Sequence, residues 1–286
     1  MRVSWVGKIT KTLTGYYPRQ LRALLTHYSR VSGIAPGHRD YERFVILGTG
    51  RTGSNFLQSL LNSHSEIIAF GELLQTFDVI RWDYDHYRRD APRRQLSACQ
   101  DDPIGFLETH VFARFPEGIS AVGFKLFYTH AQHTRQKSVW THLRDRQDMK
   151  IIHLKRRNVL RAYLSHKVAI ESGRWRDLSG EPGGSSISIQ LDYEDCQQKF
   201  AETRKQEDEH DILFANHDKI DVYYEELSRD YTSEMRRVQE FLDVEYQVVV
   251  PATRKQARQP LSIAISNYDE LKARFKGTPW EGFFED

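Results

Sequence analysis

Cysteine is scarce in this sequence: Cys99 and Cys196 are the two in 286 residues. Two cysteines make neither a disulfide framework nor a zinc pattern, which fits a reducing compartment. Long apolar runs are missing as well. No window approaches the roughly 20 apolar residues of a membrane span, and the N-terminus has no apolar signal-peptide core. These absences predict a soluble, cytoplasmic protein with no transmembrane segment. A large net charge is also lacking, since 41 Lys and Arg face 39 Asp and Glu to leave +2. The chain as a whole therefore lacks the electrostatic footprint of a nucleic-acid binder. Internal repeats and low-complexity tracts are absent too.

What is present suits one large domain. With 39% hydrophobic and 12% aromatic residues, a chain of this length can bury one substantial core. Its positive charge is local. Residues 1–43 hold Arg2, Lys8, Lys11, Arg19, Arg22, Arg30, Arg39 and Arg43 against Asp40 and Glu42, a local +6 that leaves −4 for the remainder. We read residues 1–42 as a basic extension packing Leu21, Leu24 and Leu25 on the body. The second reading is a surface for peripheral contact with anionic lipid or an anionic acceptor.

Five short runs read as strands: Arg43 to Leu47, Glu66 to Phe70, Ala121 to Phe127, Lys150 to Leu154 and Ile220 to Tyr224. Helical spacing separates most of them, which predicts an α/β fold of three layers with a mostly parallel central sheet. Ligands of such sheets bind beyond the carboxyl ends of the strands. Two segments break the rhythm. Arg81 to Gln95 is dense in aromatic and charged groups and does not resemble a core, and Ser172 to Ser186 is rich in Gly, Ser and Pro. The second reads as a lid over a bound molecule or as a plain surface connection.

The informative stretch is VILGTGRTGSN, Val45 to Asn55. An apolar strand runs into a loop, and Phe56, Leu57, Leu60 and Leu61 then follow helical spacing. Backbone N–H groups at a helix start lack intrahelical partners and carry the positive end of the dipole, so such a turn favours a phosphate or sulfate. Gly48, Gly50 and Gly53 satisfy G-x-G-x-x-G, with Glu72 near the distance of a ribose-binding acid. Gly48 and Gly53 also give half of a nucleoside-triphosphate loop, but Ser54 stands where that loop needs lysine, which argues against an ordinary ATPase or kinase. The cation lies inside the loop instead, at Arg51, flanked by Thr52 and Ser54. A guanidinium fork with two hydroxyls and several amides suits one compact tetrahedral anion.

A second strand, basic turn and helix occurs at KIIHLKRRNVLRAYLS, Lys150 to Ser165. Together the two stretches resemble the sulfotransferases that use 3′-phosphoadenosine 5′-phosphosulfate (PAPS). The run from Gly48 to Leu57 looks like their 5′-phosphosulfate loop, in the form common among carbohydrate sulfotransferases, and Arg157 with Ser165 reproduces the spacing of their 3′-phosphate motif. VYYEELSRD (Val222 to Asp230) and FLDV (Phe241 to Val244) resemble further family segments, and TRKQ (Thr253 to Gln256) resembles the basic segment that also reaches the 3′-phosphate.

The resemblance implies a P-loop-like sulfotransferase domain over residues 43–286. It implies PAPS held by Arg51, Thr52, Gly53, Ser54, Asn55, Arg157, Ser165, Arg254 and Lys255, with 3′-phosphoadenosine 5′-phosphate (PAP) as product. Arg156 or Arg161 is an alternative holder of the 3′-phosphate. Transfer needs no metal if the loop supplies the positive potential. Glu72 is the expected general base, with His64, His130 and His133 in reserve. Lys125 is costly to bury within an apolar strand, so it either lies at the strand's exposed end or has an anionic partner such as the sulfate. The acceptor is read as a sugar, a glycolipid or a small polar metabolite. A dinucleotide-dependent oxidoreductase and a non-catalytic nucleotide-binding protein are the competing readings.

Overall fold

The computed structural model describes residues 37–83, 91–173, 188–251 and 259–285. Five strands, β1 (Glu42–Gly48), β2 (Ile67–Phe70), β3 (Ala121–Phe127), β4 (Met149–Lys155) and β5 (Lys219–Tyr223), form one sheet in the order β2-β3-β1-β4-β5. All four pairings are parallel, so the sheet is more uniform than the mostly parallel one expected. β1, β2, β3 and β4 are buried nearly throughout because helices cover both faces.

On one face, Val45, Leu47, Phe124 and Ile151 pack against α2 (Arg93–Asp101), α3 (Pro103–Phe106), a π-helical turn (Leu107–Val111) and α4 (Ser138–Asp145). On the other, Phe44, Ile46, Ile152 and Leu154 meet Leu57, Leu60 and Leu61 of α1 (Ser54–Leu61). The same face receives Leu227 of α7 (Tyr224–Arg229) and Met235 and Val238 of α8 (Tyr231–Phe241). A third cluster joins α5 (Val159–Ser172) and α6 (Tyr193–Leu213) to α9 (Leu261–Ala264), α10 (Tyr268–Phe275) and the closing 3₁₀ turn at Glu281–Phe284.

The aromatic and charged segment contributes to the core after all. Trp82 is buried, edge-on to Phe70 and against Phe106. Its indole N–H donates to Gln95, which lets an amphipathic ring enter an apolar cluster without an unsatisfied donor. Cys99 and Cys196 are both free and buried, and burial pushes their thiols up to about 11 and about 12. No described helix is long and apolar enough to cross a membrane. Most of the basic N-terminal extension, and most of the Gly- and Ser-rich segment, lie outside the described residues.

The strand order places the site. β1 is central, its chain leaves toward β2 on one side, and β4 continues toward β5 on the other. A crevice therefore forms at the carboxyl ends of β1 and β4, where both basic turns emerge.

Candidate active site

The loop after β1 is shaped by what surrounds it. A Cβ on Gly48 would lie 2.6 Å from the Leu154 carbonyl oxygen, so the close approach of β4 requires glycine there. Gly53 has φ +85°, and a Cβ on it would stand 2.3 Å from the Tyr224 ring. Arg51 is held at φ 66°, a left-handed conformation that costs a non-glycine residue about 1–3 kcal/mol and concentrates at functional sites. The Thr52 hydroxyl donates to the Thr49 carbonyl at 2.7 Å and braces the turn from within. The N-cap residue of α1 is Gly53, which has no side chain to cap it, and its first turn holds no acid, so the positive end of the helix faces the loop without a carboxylate of its own.

The two basic turns touch. Arg51 donates from Nε to Ser165 Oγ at 2.9 Å, and Arg156 donates from Nη1 to the Arg51 carbonyl at 2.9 Å. Arg156 also lies over the Tyr224 ring, the ring that packs on Gly53. Burial lowers the Arg51 pKa from its ordinary value, yet an arginine remains charged at any physiological pH. A guanidinium, a helix start and a second arginine are thereby gathered around one strand end.

Lys125 lies in register with Ile46 on the neighbouring strand, and its side chain is fully buried. Its ammonium donates to Asn55 Oδ1 at 2.7 Å and to Glu72 Oε1 at 3.3 Å. Full burial excludes the exposed strand end, and Glu72 is the anionic partner. Asn55 lies in the first turn of α1, so this contact links the base candidate to the loop after β1 through one lysine.

His130 faces the other side of Glu72, with Nε2 3.7 Å from Oε2. Its Nδ1 accepts from the Phe127 N–H at 3.2 Å, which assigns the ring proton of the neutral form to Nε2. Burial lowers the His130 pKa to about 4, so the ring is neutral near pH 7 and presents a donor to Glu72. In that tautomer it has no vacant lone pair with which to serve as base. His64 engages the Glu245 carbonyl and the Glu66 N–H, while His133 stacks on Phe77 at 3.7 Å and accepts from the Arg135 N–H. Of the three reserve histidines, His130 is the one in contact with Glu72.

The second motif starts as expected. Asn158 caps α5, its side chain accepting from the Arg161 N–H, and β4 ends at Lys155 just before Arg156. Arg157 is 56% exposed, donates from Nε and Nη2 to Glu226 Oε1 at 3.2 and 2.6 Å, and lies 3.8 Å over the Tyr223 ring. Arg157 thus faces α7, whereas Ser165 receives Arg51. Sequence reasoning missed Tyr223, Tyr224, Glu225 and Glu226 as partners of the arginine pair; the run YYEE was the available signal. Arg254 and Lys255 lie outside the described residues.

A further polar cluster lies along β4. His153, Asp211 and Asp221 bring three potential ligand atoms within 4.8 Å of one another. Ammonium groups already occupy it: Lys155 donates to Asp211 at 2.6 Å and to Asp221 at 3.1 Å, and Lys219 also donates to Asp211. The chemistry of this set is that of a structural charge network.

The chain is similar to known proteins. The model of the Sulfotransferase family matches residues 43–248, and the chain belongs to that family. It is 26% identical to Nodulation protein H of Rhizobium meliloti (strain 1021) over 251 residues, which is 85% of this chain and 94% of the relative. To Nodulation protein H of Rhizobium tropici it is 28% identical over 259 residues, 85% of this chain and 93% of that one. The crystal structure of the sulfotransferase from Alicyclobacillus acidocaldarius superposes with a TM-score of 0.45 at 16% identity, covering 88% of this chain and 95% of its own. Family membership makes the protein a transferase and displaces the oxidoreductase reading of the glycine loop.

Proposed function

We propose that the protein moves a sulfuryl group from PAPS to a hydroxyl, or an amine, of a sugar, a glycolipid or a small polar metabolite. The observation that carries this reading is the hydrogen bond from Arg51 to Ser165, which ties the first basic turn to the helix that follows the second, as a donor with anions at both ends of its adenosine requires. Residues 43–286 form the catalytic unit in this reading, and residues 1–42 a basic extension.

The residues fit the donor. Arg51, the amides of Gly53, Ser54 and Asn55, and the Ser54 hydroxyl face the 5′ end; Thr52 shapes the loop. Arg157, Ser165 and, from outside the described residues, Arg254 and Lys255 serve the 3′-phosphate. PAPS supplies a sulfuryl group carried on a phosphate leaving group.

The chain supplies the rest. Arg51 and the α1 dipole stabilise charge on the leaving oxygen by preorganised electrostatics. Lys125 sits between the loop and Glu72, where it can follow negative charge on the transferring group. Glu72 accepts the proton of the acceptor hydroxyl as the new S–O bond forms in line and the bond to the phosphate breaks, with PAP departing. Lys125 donates to one Glu72 oxygen, and the His130 N–H stands 3.7 Å from the other. Because the cations are side chains of the protein, the reading requires no metal.

The test is calorimetric titration with PAP beside NADP and ATP. Preferential binding of PAP that collapses in Arg157→Ala supports the donor site. Binding of NADP alone, or no response to PAP, removes it.

A further inference from the structure

The turn between β4 and α5 carries its own anions. The backbone N–H groups of Arg157 and Asn158 donate to the two oxygens of Glu225 at 3.0 and 3.3 Å. The Arg157 guanidinium goes to Glu226, the next residue along α7. The Arg157 guanidinium that the proposed function assigns to a phosphate therefore already has a carboxylate of the chain itself as its partner.

The two carboxylates differ in kind. Glu225 satisfies backbone donors at the start of a 14-residue helix, groups that would otherwise lack partners. Glu226 offers Arg157 a single oxygen, with Nε and Nη2 converging on Oε1. That contact forgoes the paired geometry of a full guanidinium–carboxylate fork. It also lies at the surface, where Arg157 is 56% and Glu226 27% exposed, and exposed pairs of this kind are weak and screened by salt. The guanidinium does not depend on Glu226 for its position, because the Tyr223 ring supports it at 3.8 Å. Arg156 is held differently, its Nη1 donating to the Arg51 carbonyl and its Nε 3.9 Å from Glu225 Oε1.

We infer that Glu226 is a resident competitor for Arg157, holding the guanidinium that a phosphate monoester takes up, and that it thereby sets the affinity and selectivity for a 3′-phosphorylated nucleotide. The inference rests on the assignment of Arg157 to the 3′-phosphate. A phosphate dianion presents several oxygens to the fork and more charge than a carboxylate, so it displaces Glu226 and leaves that carboxylate as a nearby repulsive charge. Affinity is lowered by both the exchange and the repulsion.

Calorimetry with PAP and with adenosine 5′-monophosphate, which lacks the 3′-phosphate, tests this on wild type, Glu226→Gln, Arg157→Ala and the double variant. The expected result is a tightening of PAP by about fivefold in Glu226→Gln, about 1 kcal/mol. Adenosine 5′-monophosphate should be little changed and the gain absent in the Arg157→Ala background. Glu226→Ala serves as a second variant, and melting temperatures establish that each protein is folded. If Arg157→Ala weakens PAP selectively while both Glu226 variants leave it unchanged or weaker, Glu226 orients the guanidinium and the inference fails alone. If Arg157→Ala leaves the ratio of the two affinities unchanged, the assignment of the 3′ site fails, and the competitor role with it.

Discussion

Arg51 reaches Ser165 with a 2.9 Å hydrogen bond that spans 114 residues of sequence. It ties the loop after β1 to the middle of α5, so neither basic turn is positioned independently. Hydrogen bonds to charged groups contribute about 1.5–3 kcal/mol. Arg51→Ala should therefore weaken PAP by about 10–100-fold, and Ser165→Ala by less, with both proteins folded. Titration with PAP checks this, and an Arg51→Ala affinity equal to wild type would remove the loop from the donor site.

The glycines of the loop separate shape from space. A Cβ on Gly53 would enter the Tyr224 ring at a positive φ, whereas one on Gly50 meets nothing within 4 Å. Gly53→Ala should lower stability by about 1–3 kcal/mol through strain and overpacking. Gly50→Ala should melt as wild type does. If Gly50 faces the bound anion, its added methyl lowers PAP affinity without a change in melting temperature, an outcome that calorimetry and thermal melts read together.

Lys125 and Glu72 make a buried pair whose halves should be unequal when removed. Lys125→Met keeps most of the volume and deletes the ammonium, leaving Glu72 beside Asn55 and His130 without its cation. Removing one partner of a buried pair typically costs about 3–5 kcal/mol, whereas replacing both can be nearly neutral. Glu72 is 21% exposed, which places the expected loss toward or below the lower end of that range. Adding Glu72→Gln to Lys125→Met should recover part of it. A denaturation cycle over the four proteins reads the coupling, and additive losses would mean that the pair is not coupled in solution.

The strands were legible because their signal is local: apolar, β-branched runs such as Val45 to Leu47 and Ile151 to Ile152 sit between polar turns, and each is a strand within a residue or two of its expected bounds. The turn between β1 and α1 was legible for the same reason, since the glycine spacing that shapes it is read within one turn. Pairings between distant segments were not. Arg157 and Glu226 stand 69 residues apart, and nothing in either stretch states that α7 returns to the β4 turn. The His130 contact was hidden likewise, because its tautomer is fixed by a backbone N–H at the end of β3. Trp82 was misread because charged neighbours in sequence mask a ring that turns inward.

Acid should unfold the protein in two stages. His130 and His153 are both buried, and burial lowers each to about 4 from an ordinary 6.5. Around His153 stand Tyr128, whose hydroxyl is 2.5 Å from Nε2, Asp211 at Nδ1, and the charges of Lys155 and Asp221. Because both folded values are depressed, the unfolded chain binds more protons between pH 6.5 and 4. The stabilisation is therefore complete above about 6.5 and is lost as pH falls toward 4, by about 2 kcal/mol for each ring at pH 5. Asp211 adds a later stage. Burial alone would raise its pKa, but hydrogen bonds from Lys155, Lys219 and His153 take it well below the carboxylate range, so its share persists down to the unfolded carboxylate value and disappears below it. Melting temperatures from pH 7 to 5 should fall steeply in wild type and less steeply in His153→Gln, which starts lower and lacks one of the two rings. Parallel curves for the two proteins would mean that His153 is not held neutral in the folded state.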